Sequence, residues 1–141
     1  MARSKKRWVY SPPRKRKPTL KIPEALKNEL EQWAKQMIED KFKPYRRKLD
    51  EGSKEQGFNY VIEIYTKWWR NYFYLCCKYH CPGPRAISEY FEDPFTRMEY
   101  VGDGRFNLSY MRYTDQWWQV YRDLTLEEAT KTIEEEIIFW P

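Results

Sequence analysis

Leu26, Leu30, Trp33, Ala34, Met37, Ile38 and Phe42 fall on one stripe of a helix, with Lys27, Glu31, Lys35 and Glu39 opposite. Glu31 and Lys35 stand in the favourable i,i+4 order. Pro23 suits the first helical position, where a missing N–H loses no partner. Pro44 predicts the end of this helix at or just before Lys43, because proline pushes its predecessor out of the α region. The polar stretch 44–57, bounded by Pro44 and Gly57, then reads as a connection.

The longest apolar and aromatic run, Phe58 to Cys81, follows. A single strand from Asn59 to Cys77 would be about 60 Å long at ~3.3 Å per residue, too long for a domain of this size. A turn near Thr66 to Asn71 would make it a hairpin. Tyr60, Ile62 and Ile64 would then share one face, and Val61, Glu63 and Tyr65 the other. The abundance of Val, Ile, Thr, Tyr, Trp and Phe favours strand. A helical stripe through Val61, Ile64, Tyr65, Trp68, Tyr72, Cys76 and Tyr79 is the competing reading.

Cys81-Pro82-Gly83-Pro84 stops the run, and 85–95 is a connector ending in Asp93-Pro94. A meander comes next. Arg97 to Val101 alternates, Gly102-Asp103-Gly104 turns, and Arg105 to Arg112 places Phe106, Leu108 and Tyr110 on one face. Tyr113 to Gln116 turns again before a strand from Trp117 to Tyr121. Thr125-Leu126-Glu127-Glu128 is a capping box, opening a helix with Leu126, Ala129, Ile133 and Ile137 as its buried stripe. Phe139 and Trp140 are placed to pin that helix to the sheet. The order predicts an α+β fold: an antiparallel sheet of about four to five strands, flanked by an N-terminal and a C-terminal helix on one face. The opposite face would then expose aromatic and basic side chains, unless a partner or the N-terminal arm covers it.

Charge divides the chain in two. Residues 1–21 hold nine cations (Arg3, Lys5, Lys6, Arg7, Arg14, Lys15, Arg16, Lys17 and Lys21) and no acid. Subtracting nine from the chain's +5 leaves −4 on the other 120 residues. The expected organisation is a basic extended arm, 1–22, with Pro12, Pro13 and Pro18 opposing helix, and a single α+β domain, 23–141. Such asymmetry points to a polyanionic partner. Nothing approaches a membrane span, and no apolar core follows the basic N-terminal residues as in a secretory signal. Three cysteines, two of them adjacent, imply no disulfide framework and fit a reducing, cytoplasmic setting.

The C-terminal half resembles a family of short, uncharacterised bacterial proteins grouped as a domain of unknown function. The resemblance is carried by Arg97-Met98-Glu99-Tyr100, by Arg105 through Arg112, by Trp117-Trp118 with Tyr121, and by Leu124 through Glu128. It implies the strand–turn–strand–turn–strand–helix order and no activity.

Candidate chemistry is sparse. Cys76, Cys77, His80 and Cys81 are of zinc-ligand type, but adjacent cysteines on a strand face opposite ways. Cys77, His80 and Cys81 are what remains as a weak metal set, against the plainer reading of buried thiols packed as small hydrophobes. With one histidine and no P-loop, GxGxxG or HExxH, no nucleophile–base pairing can be argued, and neither cofactor nor catalytic residue is expected. Glu63, Asp93, Glu99 and Asp103 are carboxylates that a metal-assisted enzyme would need to gather, in no recognisable pattern. The arm is the stronger signal. Its cations would neutralise phosphates, and Trp8 and Tyr10 beside Arg7 would stack on bases. Lys67, Trp68, Trp69 and Arg70 put further cations and rings at the predicted turn. The expected function is a small non-enzymatic nucleic-acid-binding protein, RNA favoured because no recognition-helix motif is present. The alternatives are an interaction subunit that docks its aromatic face on another protein, and, behind it, a metal-assisted enzyme.

Overall fold

A computed structural model describes residues 20–141; residues 1–19, and with them nearly all of the predicted arm, lie outside the described residues. Ile22, placed in the arm by its sequence, is 4% exposed and belongs to the core. Helix α1 spans Glu24–Met37 and α2 spans Lys43–Glu55, joined by a π-helical turn, Ile38–Phe42. Strands β1 (Tyr60–Trp69), β2 (Tyr72–His80), β3 (Tyr90–Gly102), β4 (Arg105–Met111) and β5 (Trp117–Thr125) follow. Helix α3, Leu126–Glu135, and a 3₁₀ turn, Ile137–Phe139, complete the order. The strands form one antiparallel sheet in sequence order, β1-β2-β3-β4-β5. The α+β architecture with a helix at each end is as the periodicity predicts, and the strand reading of 58–81 holds.

Helix does not end at Pro44. The stretch 44–57, expected as a polar connection, is largely α2. Proline in a continuing α-helix would lack the bond to the carbonyl four residues back and clash with it. The chain avoids this by widening one turn: the Lys43 N–H bonds to the Ile38 carbonyl, five residues back, and Pro44 starts a fresh helix in its first turn. Pairs Glu39–Lys43 and Gln36–Asp40 bracket the turn. α2 then closes in a Schellman arrangement, with Phe58 N–H on Ser53 O at 2.8 Å and Gly57 N–H on Lys54 O at 3.2 Å. Gly57 takes φ 74°, which an L side chain disfavours.

The other departures are also bulges or breaks in regular geometry. A bulge between Val61 and Glu63 resets the alternation of β1, so Val61 joins Ile64 against the core and Ile62 is 46% exposed. Asp50 of α2, itself nearly buried, accepts the Val61 N–H at 3.3 Å and is clasped by Arg46 Nε at 3.2 Å. β3 begins at Tyr90, inside the predicted connector, and carries Pro94 beside a second bulge opposite Leu75 and Cys76. Proline is tolerated there because the β4 pairing of β3 starts only at Thr96. β5 runs on past Tyr121 to Thr125, with Asp123 at φ 61° and its N–H on Asn107 Oδ1 at 3.0 Å. α3 stops at Glu135, so Ile137 leaves the predicted stripe and is 63% exposed. The extended backbone of Glu136 turns Phe139 inward in its place.

One core unites both helical ends with one side of the sheet. Leu30, Ala34, Met37 and Phe42 meet Ile64, Phe73, Leu75, Met98, Phe106 and Leu108, with Ala129, Ile133 and Phe139 closing the far side. The capping box forms as predicted: Glu128 N–H donates to Thr125 Oγ1 at 3.1 Å and Thr125 N–H to Glu128 Oε1 at 3.0 Å. The C-terminal segment is fastened by Thr96 Oγ1 donating to the Phe139 carbonyl at 2.7 Å and Trp140 Nε1 donating to the Ile133 carbonyl at 2.7 Å. Thr96→Val keeps the shape of this fully buried residue but strands the carbonyl of Phe139. It is expected to lower stability by about 1–3 kcal/mol, read as a shifted midpoint in urea denaturation at unchanged slope.

Candidate functional site

With the described helices on one side, alternation sends every second side chain of the sheet to a face that no described helix covers. Lys67 and Trp69 reach it from β1, Tyr72 and Tyr74 from β2, Arg97 and Glu99 from β3, Asn107 and Ser109 from β4, and Trp117 from β5. These residues form a connected field. Trp69 stacks near-parallel on Tyr72, centroids 6.1 Å apart, and Tyr72 lies 6.0 Å from Tyr74. Trp117 comes within 5.8 Å of Tyr74 although two strands separate them, and the small, buried Ser109 on β4 leaves it room to lie inward.

Cations interleave with these rings. Arg97 sits between two of them, its guanidinium carbon 4.9 Å from the Tyr72 centroid and 4.8 Å from Trp117. Arg70 covers Trp69 at 4.8 Å, and Lys67 covers Tyr74 at 5.5 Å. Contacts of this kind contribute about 0.5–1 kcal/mol each where water reaches them, and more where it does not. Among the described residues Arg97 forms no ion pair, and its buried Nε has no hydrogen-bond partner. Glu99, two residues along the same face, accepts instead from Asn107 Nδ2 at 3.3 Å. Burial, and then the Glu99 carboxylate, raise the Tyr72 phenol above its ordinary pKa, which keeps that hydroxyl a donor. Arg70 enters the hairpin turn at φ 55°, and Asn71 ties the turn to Tyr100 by two bonds of 2.8 and 2.9 Å.

Of the four residues expected at the turn, Lys67, Trp69 and Arg70 belong to this field. Trp68 points to the helices: its Nε1 donates to Glu31 at 2.7 Å, Lys27 covers its ring at 5.2 Å, and Phe73 lies 4.5 Å away. Arg3, Lys5, Lys6, Arg7, Trp8, Tyr10, Arg14, Lys15, Arg16 and Lys17 lie outside the described residues. Tyr74 and Arg97 were not singled out by the sequence. Their pairing depends on the register between β2 and β3, which a bulge shifts.

The sulfur and imidazole groups do not converge. Cys77 is in the core and Cys76 beside Tyr65, while His80 lies between Tyr60 and Tyr90, 5.3 Å from each ring, with Nε2 3.5 Å from Glu89. Among the described residues no three His, Cys, Asp or Glu side chains are grouped to hold a metal, so Cys77, His80 and Cys81 are not brought together, nor are Glu63, Asp93, Glu99 and Asp103. No helix among the described residues is long and apolar enough to cross a membrane.

Residues 22–141 match the family described as a domain of unknown function, DUF3024. The chain belongs to that family. The DUF3024 match covers α1, α2 and the β1–β2 hairpin as well as the C-terminal meander on which the sequence resemblance rests, and it opens at Ile22, where the core opens. No curated protein and no solved structure matches the chain.

Burial pushes the Cys76 thiol up to about 11 and the Cys77 thiol up to about 12. Since only the thiolate attacks, both are expected to resist iodoacetamide at pH 8 in the folded protein and to label rapidly in denaturant. Peptide mapping by mass spectrometry separates the two states.

Proposed function

We propose that this DUF3024 protein binds single-stranded nucleic acid, RNA in preference to duplex DNA, through the uncovered sheet face and the basic arm. The observation that carries the reading is the alternation of rings and cations from Arg70 to Trp117 across that face. Rings on a flat sheet accept bases only where those bases are unstacked, which selects single strands over duplexes. Guanidinium and ammonium groups between the rings offer phosphates a partner at base spacing. The arm's nine cations up to Lys21 supply the long-range attraction that a domain of net −4 lacks.

Leu20 and Ile22 deliver the arm at the N-terminal end of α1, where Lys27 covers Trp68 of the hairpin. One strand of RNA then engages both the arm and the face. A solvated tail on a neutral sheet would need neither the rings nor their interleaved charges.

Fluorescence anisotropy with a labelled single-stranded RNA, from 50 to 300 mM salt, tests the two parts separately. Full-length protein is expected to bind with a steep salt dependence, and removal of residues 1–19, which spares Ile22, to weaken binding and flatten the slope. Equal binding by both forms would rule the arm out. Trp117→Ala is expected to cost about 1–3 kcal/mol of binding at an unchanged salt slope, because it removes a stacking ring and no charge. Absence of binding by the full-length chain, together with a stoichiometric protein co-purifying without nucleic acid, would replace this reading by a protein-docking role for the same face.

A further inference from the structure

Arg97 and Glu99 are two residues apart on one face of β3 and carry opposite charges, yet they form no ion pair. Each is held elsewhere by neighbours. The guanidinium lies against the Tyr72 and Trp117 rings, with Nε buried. Asn107 Nδ2 holds the carboxylate. Asn107 is fixed in turn, because its Oδ1 accepts the Asp123 N–H at 3.0 Å, so its amide orientation is determined. The result is a donor and an acceptor two residues apart on β3, within a field of stacking rings.

A carboxylate has about four lone-pair positions, and Asn107 takes one here, leaving room for a pair of donors. Arg97 offers fork-like donors, and its Nε is buried with nothing to bond. A base that fits must present two adjacent N–H donors to Glu99 and acceptors to Arg97. Adenine and cytosine present one amino group, and uracil one ring N–H. Guanine alone has N1–H and N2–H side by side, followed by O6 and N7, the pair that arginine reads bidentately.

Granted the nucleic-acid reading above, on which this rests, we infer that the uncovered face recognises guanine, with Glu99 accepting from N1–H and N2–H and Arg97 donating to the acceptor edge. Tyr72 and Trp117 orient Arg97, and Asn107 orients Glu99. The face then distinguishes bases, whereas the arm does not.

The test uses full-length protein and four labelled eleven-nucleotide RNAs, uridine throughout except for G, A, C or U at the centre. The single guanine avoids quadruplex formation. Wild type is expected to bind the G oligomer about tenfold more tightly than the other three. Glu99→Gln, which keeps the shape but loses the double acceptor, is expected to erase that preference, so that the four oligomers bind with equal affinity. Arg97→Lys keeps the charge but loses the fork, and is expected to reduce the preference with a smaller effect on the uridine oligomer. Circular dichroism confirms that each variant is folded, and should one fail, the wild-type ranking still decides. Measurable but equal affinity for all four oligomers overturns the guanine assignment and leaves nucleic-acid binding standing. No binding to any of the four overturns both.

Discussion

Phe42 is the residue on which the covered side of the molecule is registered. It is fully buried, sits at the end of the π turn, and meets Phe95 of β3 and Trp140 edge-on, each at 5.5 Å. Three regions distant in sequence are thereby fixed against one ring. Without the extra residue in the turn, Pro44 would break the helix, and α2 would not reach β1 with Asp50 against the Val61 N–H. The helix junction, the edge-strand bulge and the C-terminal fastening are thus consequences of how the chain gets past one proline.

The same arrangement decides which side of the sheet is left open. α1, α2 and α3 pack to one side, so among the described residues the opposite side keeps its rings without a protein layer above them. Such a face is normally unfavourable. Here the rings shield one another, and Arg70, Arg97 and Lys67 stay hydrated at their outer edges while their carbon stems and planes cover aromatic surface. The most exposed of these rings is Trp69, at 55%.

The sequence was legible where a regular period ran unbroken. The helical stripe from Leu26 to Phe42, the Gly102–Gly104 turn and the Thr125–Glu128 cap all express short-range rules, and all appear as expected. It misled where one residue was inserted into a period. Pro44 signals an end to the helix, but a single wider turn evades the signal. Ile62 alternates with Ile64 on paper, yet the bulge after Val61 turns it outward. Trp68 and Trp69 looked equivalent in sequence, and adjacent positions on a strand divide them between core and open face. Arg97 was illegible for a longer-range reason: its significance arises from Tyr72 and Trp117, which only the assembled register brings to it.

The sheet and its cover differ in the sequence distance their contacts span. Every strand pairs with its neighbour in the chain, so the meander can assemble by a series of short loop closures. The contacts that seal the core are of another order: Thr96 reaches Phe139, and Trp33 Nε1 reaches Glu134 across 101 residues at 2.8 Å. Non-local closures cost more chain entropy before they return any burial. The helices that cover the sheet are therefore joined to it by the costliest closures of the chain, and the strands to one another by the cheapest.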